Sequence, residues 1–276
     1  MRAWIIAGMT FREAARKKVL WMALTAGLLF LALFGTGLHY QVKDLARARA
    51  NPLIRRQVPN AMLMVGLYAV DLLAMVITVL ASADALSGEI ASGTIHAVAT
   101  KPMTRWEILL GKWLGFVGMM TVYIAIMVGG VTSVAYLLSG ATALHLLRGA
   151  LLILLESIVL LNVTLLCGGT FSTLTNGVLV LGLYALAFLG GWIEQVGALT
   201  HSPRAVQVGV VASMIMPSES LWRRAAFEMQ SPVVGALSLS PFSNASVPSL
   251  TMIGYSVVYL ILALILAVRS FSVRDL

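Results

Sequence analysis

The chain has 276 residues, of which 59% are hydrophobic and 11% charged, with a mean hydropathy of +0.93. Soluble domains run about 45–50% apolar and about 25% charged, so this composition excludes a soluble globular protein and defines a polytopic membrane protein. The net charge of +8 suits contact with anionic headgroups, whereas scattered basic residues without interleaved aromatics at a solvated face argue against nucleic acid as a partner.

The first 18 residues carry a short apolar piece, with Trp4, Ile5, Ile6 and Met9, followed by Arg12, Arg16, Lys17 and Lys18. A cleaved signal would place its charge first, so residues 1–18 read as an interfacial helix lying along the membrane. Six spanning helices follow, at 19–38, 61–86, 108–138, 149–169, 177–193 and 250–268. Each is long enough, or nearly so, for a hydrocarbon core of about 30 Å, which needs about 20 residues. The fold class is therefore an all-α polytopic membrane protein, a single domain over residues 1–276.

Two connections separate these spans with structure of their own. Residues 39–60 predict a short basic helix on the outer membrane surface, ended by Asn51-Pro52. Residues 194–249 form the largest loop, taken as external, and its prolines exclude a long helix. Within it, 205–216 is too short to cross and reads as re-entrant or interfacial. The segment after Pro217 reads as an amphipathic surface helix with Arg223, Arg224 and Glu228 pointing away from its apolar face.

Between the second and third spans lies a polar island, Ser87 to Lys112. Gly88 and Gly93 read as helix breakers, and Glu89 to Ala99 leaves room for one short helix bearing Ile90, Ile95 and Val98. Pro102 ends it, and Thr104 and Glu107 have capping-box spacing ahead of the next apolar run. The pattern is a helix end, a short cross-helix, a tight turn and a capped re-entry.

Glu89, Gly93-Thr94-Ile95, Val98, Thr100, Pro102, Thr104-Arg105, Glu107-Ile108-Leu109 and Gly111-Lys112 resemble the loop between the second and third membrane helices of type-2 ATP-binding-cassette (ABC) permeases. The resemblance implies a permease subunit, expected to be an exporter. It would have an N-terminal elbow helix at 1–18 and a cytoplasmic coupling loop at 87–107. It further implies that Glu89, Gly93, Thr94, Ile95, His96, Val98, Pro102, Arg105 and Glu107 form the interface to a separate cytoplasmic ATPase, present in two copies. A second permease copy or a homologue completes the assembly, and ATP and Mg belong to the ATPase, so this chain is expected to be neither an enzyme nor a cofactor carrier. The implied location is a bacterial inner membrane with both termini cytoplasmic. Charge does not orient the chain, since that topology leaves ten Lys and Arg inside and nine outside.

Chemistry-bearing motifs are few. The sequence has no G-x-x-x-x-G-K-[ST] loop, so this chain does not supply the nucleotide site. His39, His96, His145 and His201 lack metal-ligand spacing, so no metal site is expected. The single cysteine, Cys167, excludes an internal disulfide. Asp71 and Glu156 fall inside spans, where an ionisable group is a functional candidate or a partner in an interhelical hydrogen bond. Lys112 is placed to brace the coupling loop through an ion pair near Asp84 and Glu89, or simply to snorkel. An alternative function is a proton-coupled secondary transporter using Asp71 and Glu156. That class is built from two matching halves with broken midplane helices, and no such repeat is visible.

Overall fold

The computed structural model describes residues 2–16, 18–48, 51–91, 105–230 and 247–273. The described residues form helices joined by turns, with no strand among them. In chain order the helices are α1 (Arg2–Arg16), α2 (Lys18–Arg47), α3 (Pro52–Ser82), α4 (Asp84–Ala91), α5 (Arg105–Ser139), α6 (Leu146–Gly168), α7 (Thr173–Leu199), α8 (Pro203–Ile215), α9 (Ser218–Met229) and α10 (Leu250–Val273). Six segments are long and apolar enough to cross a membrane, in α2, the α3–α4 pair, α5, α6, α7 and α10. All six overlap the predicted spans.

Helices α3 and α6 hold the centre. Leu67, Val70, Ala74, Ile153, Leu160 and Leu161 are fully buried there. Packed around them are α2, α5, α7, α9 and α10. In contrast, α2 and α10 present Leu29, Leu33, Leu262 and Leu266 outward, more than half exposed. A helix apolar on its outer face is at rest only against lipid tails or another apolar surface.

Polar side chains fix the register between spans. Asn162, buried on α6, accepts from Trp113 Nε1 of α5 at 2.6 Å and donates from Nδ2 to the Leu260 carbonyl of α10 at 2.9 Å. One amide thus links three helices. Helix α1 crosses α5 at Gly115, where a Cβ would come 2.9 Å from the Ala7 carbonyl oxygen. The missing side chain is what lets the N-terminal helix lie flush on the bundle.

Four expectations need correction. The predicted separate basic helix at 39–60 does not form: α2 runs unbroken to Arg47 and α3 begins at Pro52. Asn51 opens α3 instead of ending a helix, its Oδ1 accepting from Leu53 N at 3.0 Å, with Pro52 at the first position. Gly88 does not break the helix either. It sits inside α4, where a Cβ would collide with the Asp84 carboxylate, and the break falls earlier, at Ala83. The fifth span is longer than predicted, 27 residues instead of 177–193, because Ser172 caps it and it continues through Glu194.

The last correction concerns the segment after Pro217. Helix α9 is an interior helix packed on α6, α7 and α3, with Arg223 only 2% exposed. Helix α8 folds back along α7, with Gly190 under Ala212 and the Gly190 carbonyl under Gly209. At 13 residues α8 is about 20 Å long, too short to cross. After Met216 and Pro217 the chain reverses and α9 returns, ending where the Leu144 and His145 amides donate to Met229 and Glu228 carbonyls at 3.0 and 3.3 Å. The pair α8–α9 is a re-entrant hairpin whose tip lies inside the bundle.

Candidate coupling site and buried charge cluster

The polar island's centre lies outside the described residues, including Gly93, Thr94, Ile95, His96, Val98 and Pro102. Its two flanks are described. Glu89 is on α4, and Arg105 is the first described residue of α5. Glu107 lies in the first turn of α5, where a carboxylate favours the positive end of the helix dipole.

The mount on which the island sits is built from α4. A helix break at Ala83 frees its carbonyl, which accepts from Ser87 Oγ at 2.6 Å and from Asn176 Nδ2 at 3.1 Å. The same Asn176 amide also donates to the Thr164 carbonyl at 3.1 Å, tying α6 to the joint. Thr173, at the start of α7, bonds Ser87 Oγ at 2.9 Å and donates to Asp84 Oδ1 at 3.2 Å. From α5, the buried Lys112 ammonium donates to the Ala85 carbonyl at 2.7 Å. Lys112 thus reaches α4 through the backbone of that helix. Side chains of α5 and α7, the latter tied in turn to α6, thus converge on α4 and the turn before it. Ser87, Thr173 and Asn176 were not singled out in the sequence. Their partners are carbonyls freed by a helix break, and that break leaves no mark on composition.

At the tip of the re-entrant hairpin lies the second site. Asp71 of α3 and Glu156 of α6 are buried, and their carboxyls lie against each other. Neither Glu156 oxygen has a hydrogen-bond partner, nor does Asp71 Oδ1. From α9, Glu219 is buried against Gly191 and lies within electrostatic range of Asp71, Glu156 and Arg223. Burial holds its carboxyl well above the usual carboxylate range; Arg223 pulls the other way, while Asp71 and Glu194 reinforce the rise. Arg223 Nη2 pairs with Glu194 Oε2 of α7 at 2.8 Å, both side chains buried. Tyr68 and Tyr184 stand within range of Asp71, Glu156 and Glu219.

A cavity of about 250 Å³ opens beside the ion pair, lined among others by Glu194, Ser213, Ser220, Arg223 and Ser249. Ser213 Oγ is buried and has no hydrogen-bond partner. The sequence singles out Asp71 and Glu156 but not Glu194, Glu219 and Arg223, because the apolar run of the fifth span ends at Ile193, one residue short of Glu194, and the polar pattern of α9 is that of a surface helix. The neighbouring Gly190-Gly191 pair was the available signal, since both glycines lie under the hairpin. Among the described residues no group of three or more His, Cys, Asp or Glu is arranged to hold a metal ion.

Six apolar spans and an N-terminal helix packed against the bundle define an all-α polytopic membrane protein. The chain belongs to the ABC-2 family of transporter proteins, whose family model matches residues 4–276. It is accordingly a membrane permease of an ABC transporter, a transport component without catalytic machinery of its own. Comparison with curated proteins finds no match.

Proposed function

We propose that this permease works as an exporter in a bacterial inner membrane, with both termini and the 87–107 loop cytoplasmic. It acts as one of two permease copies, or beside a homologue, on two separate ATPase subunits that bind ATP and Mg. The coupling interface is Glu89, Gly93, Thr94, Ile95, His96, Val98, Pro102, Arg105 and Glu107. What supports this reading is the family match over residues 4–276 together with the anchoring of α4, on which the interface is mounted. ATP closes the ATPase pair, the docked loop is displaced, and a rigid α4 passes that displacement into α5, α6 and α7. The nucleotide does this only by favouring one conformation of the bundle over the other. Cargo that partitions into the bilayer, a lipid or a hydrophobic compound, suits the apolar outer faces of α2 and α10.

Docking of such a loop is led by its aliphatic residues. Burying one is worth about 1.5–3 kcal/mol, against about 0–1 kcal/mol for an exposed ion pair at the rim. In a Cys167→Ser background, which removes the only cysteine, a thiol placed at position 95 or 96 should cross-link to the ATPase in native membranes. The yield should change when ATP is trapped. Thiols that stay freely labelled from the cytoplasm and capture no partner would refute the interface.

A further inference from the structure

The buried charges do not balance. Where α3, α6, α7 and α9 meet, four carboxyls, Asp71, Glu156, Glu194 and Glu219, share one guanidinium, Arg223, among the described residues. That guanidinium is 2.8 Å from Glu194 and within electrostatic range of Glu219. Asp71 and Glu156 lie beyond it, pressed together, with both Glu156 oxygens lacking a partner. Two adjacent carboxylates out of water repel each other and lose their hydration, so a pair of this kind keeps at least one proton. Tyr68 and Tyr184 stand within electrostatic range of the pair, and the Trp222 ring lies 5.1 Å from that of Tyr68.

We propose that Asp71 and Glu156 form a proton-binding centre in the middle of the bundle, filled through Glu219 from the cavity beside the Glu194–Arg223 pair. The route is continuous in chemistry. The cavity of about 250 Å³ offers the partnerless Ser213 hydroxyl and the ion pair at its wall. Glu219 stands on the same helix as Arg223 and interacts with both Glu194 and Asp71. Each transfer moves one proton from the acid O–H of Glu219, directly or through the Tyr68 hydroxyl, to a carboxylate oxygen of the pair. The Glu219 carboxylate left behind is held by Arg223 and regains a proton delivered by hydronium from bulk solvent through the cavity, by way of Glu194, which lines it and lies within electrostatic range of Glu219. The groups within electrostatic range of the pair are Tyr68 on α3, Tyr184 on α7 and Glu219 on α9, with Glu194 of α7 and Arg223 of α9 one step further, beside Glu219. Of the other helices, α5 buries Tyr123 and, at the α4 joint, Lys112, and α10 carries the partly buried Tyr259.

This inference does not depend on the ATPase partner or the direction of transport. The full-length protein, purified without nucleotide, is examined by infrared difference spectroscopy at neutral pH. The difference between wild type and Asp71→Asn/Glu156→Gln should contain the C=O stretch of a neutral carboxylic acid that moves to lower frequency in D2O. The single variants Asp71→Asn and Glu156→Gln serve the same comparison if the double variant does not fold. A difference spectrum without that band overturns the proposal, because both carboxyls would then be ionised. In Glu219→Gln the band should persist, with deuterium entering it severalfold more slowly. Entry at the wild-type rate overturns the route through Glu219.

Discussion

Glu219 makes the clearest demand on stability at the scale of single residues. Its carboxyl is raised in the folded protein, chiefly by burial, so folding binds its proton more tightly than the unfolded chain does. The resulting stabilisation is complete below the ordinary carboxylate value of about 4.3 and is lost as pH rises through the folded value. Melting temperature in detergent should therefore fall as pH rises above the ordinary carboxylate value of about 4.3, and Glu219→Gln should flatten that slope. Arg223 gives a second test. Arg223→Met leaves Glu194 as an uncompensated buried charge and should cost about 3–5 kcal/mol, read by denaturation in detergent. Adding Glu194→Gln should recover much of that loss. Asp71 and Glu156 were legible as candidates because an acid inside an apolar run is conspicuous. Their partners were not, since Glu194 stands at the edge of such a run and Glu219 and Arg223 sit in a sequence that is polar enough to pass for surface.

At the scale of elements, length and hydropathy made the six spans legible. Burial of short helices was not legible, because it depends on what lies opposite. The α8–α9 hairpin is the example: α9 looks amphipathic, yet it packs on α6, α7 and α3 and leaves only Phe227 exposed. Its seat on α7 depends on small residues. A Cβ at Gly209 would come 2.6 Å from the Gly190 carbonyl oxygen, which is backbone and cannot swing aside. Gly209→Ala should thus cost about 1–3 kcal/mol, while Gly182→Ala, on the same α7 with open space beside it, should be close to silent or stabilising. Comparison of their unfolding midpoints checks this. The joint at Ala83 offers a polar counterpart. Asn176→Leu removes one of two donors from the Ala83 carbonyl and one from Thr164, at a cost of about 1–3 kcal/mol.

At the scale of the whole molecule, the family match and the six spans agree on a permease, but orientation rests on the proposed topology. A reporter fused after Leu276 should score as cytoplasmic and one inserted near Ser243 as external. Both reporters on one side would overturn the placement. The helices also overrun the bilayer. At 35 residues α5 is about 50 Å long against a hydrocarbon core of about 30 Å, so it projects beyond the membrane at one or both ends.

The contact between α9 and the turn before α6 bears on the order in which the protein is made. Leu144 and His145 emerge from the ribosome well before Glu228 and Met229, whose carbonyls receive their amide protons. Until α9 arrives, the α5–α6 connection has been threaded but not closed, and the space α9 will fill must be held by lipid, water or a chaperone. Insertion of the early spans and completion of the bundle are then separate events in biosynthesis. A nascent chain halted before residue 203 should exchange its Leu144 and His145 amides rapidly, and the finished protein should exchange them slowly.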